Sequence, residues 1–185
     1  MHYNQDTPFL EQNLKSVGRN VHAFASLLAF VKPPVVKIVE AMGGIGLQSL
    51  ELKAKFACPE HEAWETNQQC FQQLDRIEGV KAHCGAFPLD KKFGKGTLLI
   101  LDFNLFTLKY KDDLRRYFET GAEQVVFTDC ARGKFHLHPQ AYGLSKPIWE
   151  DYCCLLNAWL LSFGLQLVTS SNAPRSITYF LARQK

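Results

Sequence analysis

Apolar positions along the chain follow two rhythms. Between residues 14 and 30, Leu14, Val17, Val21, Phe24, Leu27 and Leu28 recur at mostly three- and four-residue spacing, which predicts a helix with Gly18 as its weak point. Pro33-Pro34 ends it. Val35-Val36-Lys37-Ile38-Val39 is a β-branched run, the pattern of a short buried strand. Gly43-Gly44-Ile45-Gly46 follows as a turn, and residues 47–55 read as a helix. Further along, 55–58 reads as a weak strand, 63–74 as a helix with Gln-rich polar faces, and 80–84 as a short strand. Thr97-Leu98-Leu99-Ile100-Leu101 is a strong buried strand ending in Asp102. Residues 111–119 predict a helix, with Asp112 and Asp113 in the first turn and Gly121 just past the end. Residues 124–128 are another buried strand.

The last third changes character. Ile148, Tyr152, Leu155, Leu156, Trp159, Leu160 and Phe163 mark a long amphipathic helix. Glu150 and Asp151 begin it and Gly164 follows it, which suits the helix dipole and the C-terminal cap. The aromatic stripe of Trp149, Tyr152, Trp159 and Phe163 reads as core packing. Two strands, 165–169 and 176–181, then follow with only turn-forming Ser-Ser-Asn-Ala-Pro-Arg between them. Alternating strands and helices predict a parallel sheet covered on both faces. The helix-free final connection predicts that the last strand runs antiparallel. The expectation is therefore an α/β fold of three layers with a seven-stranded, mostly parallel sheet. One domain spans 1–185, with 1–34 as an N-terminal helical segment and 35–185 as the sheet and its helices.

Composition narrows the class. Hydrophobic residues make up 46% and charged residues 21%, which excludes whole-chain disorder. A net charge of +3 is too small to argue for nucleic acid by itself. No apolar run reaches the roughly 18–20 residues of a membrane span, and residues 1–13 have neither a basic nor an apolar signal region. The six cysteines form no CxxC and no framework of a small secreted fold, so reduced thiols in a cytoplasmic setting are expected.

The most informative stretch is Glu40-Ala41-Met42-Gly43-Gly44-Ile45-Gly46, which leaves a buried strand and opens a helix. Glycines permit positive φ and close approach of a ligand, and the helix start offers unpaired N–H groups. Glu60 lies 20 positions after Glu40, where a second strand would end and a carboxylate can accept from both ribose hydroxyls of a nucleoside. Gly44-x-Gly46-x-x-Ser49 also loosely matches a nicotinamide-dinucleotide loop, but an acidic strand end beside a pyrophosphate is repulsive and the terminal strand pair argues against that reading.

These residues resemble the first motif of the class I S-adenosylmethionine-dependent methyltransferases, and Glu60-His61-Glu62 resembles the second. Asp102-Phe103-Asn104 falls where the fourth motif closes strand four. The resemblance runs from about residue 14 to the end and rests on order and spacing. It implies the Rossmann-like methyltransferase fold and S-adenosyl-L-methionine as cofactor. Carried over, Glu40 would act through the loop on the cofactor's amino-acid end; Met42, Gly43, Gly44 and Gly46 would line its methionine part and ribose. Glu60 would bind the ribose hydroxyls, His61 would pack on adenine, and Gly85, Ala86 and Phe87 would border the adenine edge. Asp102 and Asn104 would sit near the sulfonium. Met42 stands where many members have glycine, and Ala86 cannot offer the acid of the third motif.

Methyl transfer is an in-line displacement that chiefly needs alignment and exclusion of water; a general base is optional. Asp102 and Asn104 are candidate catalytic residues, with Phe103 able to stack on a planar substrate. The run is not the Asn/Asp-Pro-Pro-aromatic of amino-methylating nucleic-acid enzymes, and no Pro-Cys is present for cytosine C5 chemistry. Beyond the fifth main strand, Arg132 and Lys134 could hold an anionic substrate and His136 could serve as a base. Cys130, His136, His138 and the Cys153-Cys154 pair have no recognised metal-ligand spacing, so no metal site is expected. The leading expectation is methyl transfer to a small molecule, a nucleic acid or a substrate presented by a partner protein, with no membrane involvement. A non-catalytic scaffold or regulatory subunit of the same fold is the alternative.

Overall fold

A run of β-branched and leucine residues with no polar alternation can be buried only if both faces are covered, and the chain supplies helices for both. The computed structural model describes residues 21–57, 60–105, 107–129, 149–173 and 176–184. Its strands are β1 (Lys37–Glu40), β2 (Glu60–Glu65), β3 (Lys81–Cys84), β4 (Thr97–Leu105), β5 (Gln124–Asp129), β6 (Leu165–Ala173) and β7 (Ser176–Arg183). They form one sheet in the order β3-β2-β1-β4-β5-β7-β6. The pairs from β3 to β5 are parallel, and β7 is antiparallel to both β5 and β6. The expected seven-stranded, mostly parallel sheet with an antiparallel last strand is the observed one.

The described part of the first helix, α1, is residues 21–27, running into a 3-10 turn at Leu28–Phe30. It shares one face of the sheet with α2 (Leu47–Lys55): Phe24, Leu27 and Leu52 pack there on Ile38, Leu98, Ile100, Val126 and Phe180. A short helix, α3 (Gln68–Leu74), packs Leu74 against Ala63 and Val80. The opposite face carries α4 (Lys111–Phe118) and α5 (Trp149–Leu161), whose Leu114, Phe118, Tyr152, Leu156 and Leu160 meet Leu99, Leu101, Val125, Phe127 and Leu181. Alternate residues of each strand therefore serve alternate layers. Full burial of one such leucine or phenylalanine contributes about 1.5–3 kcal/mol.

One expected element moves. The second strand is not 55–58 but Glu60–Glu65, and the helix expected at 63–74 begins only at Gln68. Three glutamates hide the strand from a hydrophobicity reading. The structure neutralises two of them from a distance: Lys37 Nζ lies 3.1 Å from Glu60 Oε2 and 2.6 Å from Glu62 Oε1, and Lys91 Nζ lies 2.7 Å from Glu62 Oε2. The lysine ammonium also sits 4.4 Å over the Trp64 ring, which stacks on His83. Between β3 and β4 the chain crosses from 85 to 96 without a helix.

Candidate functional site

Parallel strands place their carboxyl ends on one rim. Here that rim gathers Glu40 at the end of β1, Glu65 at the end of β2, Gly85 just past β3, Asp102 in β4 and Asp129 at the end of β5.

The glycine loop sits at its centre, and its three glycines have different reasons to be glycine. A Cβ on Gly43 would come 2.6 Å from Leu74 Cδ2, and one on Gly46, at φ +84, would come 2.2 Å from Ile77 Cδ1. Both let the loop press on α3 and the turn after it. Gly44 has φ +54 and nothing within 4 Å of an added Cβ, so its freedom opens onto empty space. Gly85, at φ +144, likewise faces open space. The loop is tied to the sheet by Ala41 N–H to Ile100 O at 3.0 Å and Gly43 N–H to Trp64 O at 2.8 Å.

Between those two openings stands Glu65. Its Oε2 accepts from Gly44 N–H at 2.9 Å and its Oε1 from Asn67 N–H at 2.7 Å. Asn67 in turn caps α3, accepting from Gln69 and Cys70 N–H. Each Glu65 oxygen thus has one backbone donor and a further lone pair for a ligand hydroxyl. Glu65 stands five residues beyond the expected strand end at Glu60; the signal for it in the sequence is the polar Thr66-Asn67 cap immediately after Trp64-Glu65.

Glu60 is correspondingly displaced. It pairs in register with Lys37, the first residue of β1, and so stands at the amino rim, a strand length from the glycine loop. His61 is not exposed for stacking either. It is 4% exposed, level with Ile38, and its Nε2 lies 2.5 Å from Glu40 Oε1. Phe87 is also a core residue: it meets Trp64 edge-on at 5.2 Å and stacks on Tyr117 at 5.5 Å. His61 and Phe87 share one cause, buried surroundings that the linear pattern does not reveal, whereas Glu60 is displaced by the register of β2. Ala86 is exposed beside Gly85.

The acids at the centre of the rim are enclosed. Glu40 is 0% exposed, and its Oε1 also accepts from Ser49 Oγ at 2.5 Å. Asp102 Oδ2 accepts from Gln48 Nε2 at 3.0 Å. Burial holds the Asp102 carboxyl above the ordinary aspartate range, and Glu40 pushes the same way, against hydrogen bonds from Thr128 and Gln48. Glu40 Oε2 and Asp102 Oδ1 are buried with no hydrogen-bond partner. Asp129 accepts from the Tyr152 hydroxyl and from Thr107 N–H.

Strand β4 bulges at this point. Leu101 pairs with Phe127 and Leu105 with Asp129, so residues 102, 103 and 104 stand opposite Thr128 alone. Bulges re-aim side chains next to active sites. The side chains of Phe103 and Asn104 lie outside the described residues, as do Arg132, Lys134 and His136. Beside the loop, a cleft of about 460 Å³ is lined by Met42, Leu89, Leu114, Tyr117 and the charged Asp112, Asp113 and Arg116. Burial raises the Tyr117 phenol above its usual range. Among the described residues no cluster of His, Cys, Asp and Glu fits a metal ion, and no helix is long and apolar enough to cross a membrane.

The strand order, the glycine loop and the reversed β7 define the Rossmann-like fold of the class I S-adenosylmethionine-dependent methyltransferases. Solved structures of such enzymes superpose over nearly the whole chain. The magnesium protoporphyrin IX methyltransferase of Synechocystis, solved with S-adenosylhomocysteine, matches at TM-score 0.63 and 10% identity over 98% of this chain and 90% of its own. An S-adenosylmethionine-dependent methyltransferase from Clostridium acetobutylicum matches at 0.62 and 12% identity over 95% and 97%. A complex between the Haloferax volcanii Trm112 methyltransferase activator and its methyltransferase-like partner matches at 0.63 and 9% identity over 94% and 93%. No protein-family model matches the chain, and no curated protein matches it in sequence.

Proposed function

We propose that the protein is an S-adenosylmethionine-dependent methyltransferase whose cofactor lies across the carboxyl ends of β1, β2 and β3. The observation that carries this is the pairing of Gly44 with Glu65. An open, left-handed glycine and a carboxylate bonded to its N–H leave a gap that an added Cβ would narrow, beside acceptors suited to vicinal hydroxyls. Glu40 and Asp102, at the same carboxyl end of the sheet, each keep one buried oxygen without a hydrogen-bond partner.

When bound, S-adenosylmethionine supplies a methyl group on a good leaving group. Glu65 takes the ribose role that the resemblance implied for Glu60. Gly44 and Gly85 let the backbone approach, and Met42 and Leu89 border the neighbouring cleft. Asp102, carried on the β4 bulge, is the candidate for orienting the acceptor, with Asn104 and Phe103 beside it in sequence. Its raised carboxyl suits a hydrogen-bonding rather than a purely electrostatic role. The remaining candidates, His136 as base and Arg132 and Lys134 as anion ligands, follow β5 in the chain. The acceptor is a small molecule, a nucleic acid or a group presented by a partner protein. Free thiols at Cys70, Cys84, Cys153 and Cys154 suit a cytoplasmic location.

Calorimetry with S-adenosylmethionine and S-adenosylhomocysteine tests the proposal. Wild-type protein is expected to bind both. Glu65→Ala is expected to weaken binding at least tenfold, the loss of about 1.4 kcal/mol or more of hydrogen bonding to a charged group. Glu60→Ala is expected to bind as the wild type does. Equal loss from both variants, or from neither, would refute the assignment of Glu65. A second reading has its own observation: Glu40 is fully buried and partnered on one oxygen, a state equally suited to a scaffold that retains the fold without turnover. Binding without methylation of any RNA, protein or metabolite pool would favour it.

A further inference from the structure

His61 and Ser49 hold Glu40 in a buried unit that core packing does not explain. The Nε2 of His61 and the Oγ of Ser49 each lie 2.5 Å from the same oxygen, Glu40 Oε1. The three residues come from β2, α2 and β1, and are 4%, 0% and 0% exposed. Ser49 Oγ donates to that oxygen, and an imidazole with its proton on Nε2 donates to it as well. The arrangement leaves two buried atoms without partners, Glu40 Oε2 and His61 Nδ1. An apolar side chain at position 61, level with Ile38, would bury equally well without that cost. The unit therefore does something that stability alone does not require.

Its position indicates what. Glu40 is the last residue of β1, directly before the loop that carries Gly44, and donors on Oε1 fix which oxygen stays free. The neighbouring helix residue, Gln48, holds Asp102 in the same way, through one oxygen. Consecutive residues of α2 thus each grip one carboxylate beneath the loop and leave its second oxygen bare.

We propose that His61 and Ser49 are positioning residues, which lock Glu40 so that its buried charge bears on the cationic amino-acid end of the cofactor. The inference rests on the reading under Proposed function and adds a role for two residues that make no contact with the ligand themselves. Glu40 acts through its field across the loop, and in low-dielectric surroundings that field is weakly screened. The adenosine end, held at Glu65, is independent of the unit.

That independence supplies the test. 5′-Methylthioadenosine keeps the nucleoside and the sulfur but lacks both the amino-acid end and the sulfonium charge. S-adenosylhomocysteine, which carries the amino-acid end on a neutral sulfur, is therefore measured beside it and is expected to weaken as S-adenosylmethionine does. The affinities of these two and of S-adenosylmethionine are measured by calorimetry for the wild type, His61→Leu, His61→Gln and Ser49→Ala. His61→Leu and Ser49→Ala are expected to weaken S-adenosylmethionine about tenfold and to change 5′-methylthioadenosine less than about twofold. His61→Gln, whose amide N–H reaches about where Nε2 stands, is expected to restore most of the loss. If 5′-methylthioadenosine weakens together with the other two, or none changes, the unit is structural and the proposal falls, although the cofactor site stands. Wild-type protein that binds none of the three overturns the cofactor reading and this inference with it. If His61→Leu fails to fold, Ser49→Ala and His61→Gln decide the matter by the same comparison.

Discussion

At the scale of single residues, neighbouring glycines carry unlike burdens. Gly46 is squeezed: its positive φ excludes a side chain, and its nearest neighbour is the end of Ile77. Gly44 is only bent, with open space where a methyl would go. Gly46→Ala is expected to cost about 2–4 kcal/mol, combining overpacking with left-handed strain, read as a drop in the urea midpoint. Gly44→Ala is expected to cost about 1 kcal/mol of stability and to weaken S-adenosylmethionine binding disproportionately, because the new methyl enters the ligand's space. Comparable stability losses in the two variants would show that the loop packs more uniformly than its contacts indicate. Met42 belongs to the same residue-level account: it stands beside the cleft, 36% exposed, where a glycine would leave the wall thinner.

Secondary-structure elements show what a linear pattern can and cannot reveal. The central strands were legible because Ile38–Val39, Leu98–Leu101 and Val125–Phe127 are buried on both faces and need no partner to explain their composition. The glycine loop and its acid were legible because backbone geometry restricts the residues that can turn there. Strand β2 was not, since its glutamates are accommodated by Lys37 and Lys91, which lie 23 or more residues away in sequence. That single shift puts Glu60 rather than Glu65 at the expected strand end and makes His61, which is buried, read as exposed. The three-residue bulge of β4 was equally hidden, because only pairing with β5 reveals it. The lysine clasp has a pH signature. Burial pushes the Glu62 carboxyl up, but hydrogen bonds and charge from Lys37 and Lys91 outweigh it and bring the group from 4.5 down to about 2. A carboxyl lowered on folding adds stability that is present above its unfolded value and is lost as pH falls toward the folded one. Between about pH 5 and about pH 2 the wild type is therefore expected to lose stability more steeply than Glu62→Gln, in urea melts repeated across that range. Parallel curves for the two proteins would remove the clasp from the account of why β2 pairs with β1.

For the molecule as a whole, the two layers of helices are joined through a rim that is polar and under-satisfied, while the middle of the sheet is dry. Ligand binding at such a rim is expected to reach the global unfolding transition, because the loop, α2 and the ends of β1 and β2 fold together. At a concentration about a hundred times its dissociation constant, S-adenosylmethionine is expected to stabilise the protein by about 2.7 kcal/mol. For a chain of this size that is roughly 5–10 °C in melting temperature, at about 2–4 °C per kcal/mol. The same concentration is expected to shift Glu65→Ala far less. A melting temperature that ignores the nucleoside, in protein shown by calorimetry to bind it, would mean that the rim opens separately from the core.

The placement of β7 between β5 and β6 bears on how the chain is made. A ribosome delivers β6 before β7, yet among the described strands β6 pairs only with β7. Until residues 176–183 emerge, the edge of β5 that β7 covers is unpaired and β6 lacks its strand partner, with only α5 to pack on. The nascent chain therefore carries two unsatisfied edges, and Leu167 and Val168 are apolar positions on one of them. The rim at the end of β5 is therefore completed only when β7, the last of these strands to be made, pairs beside it.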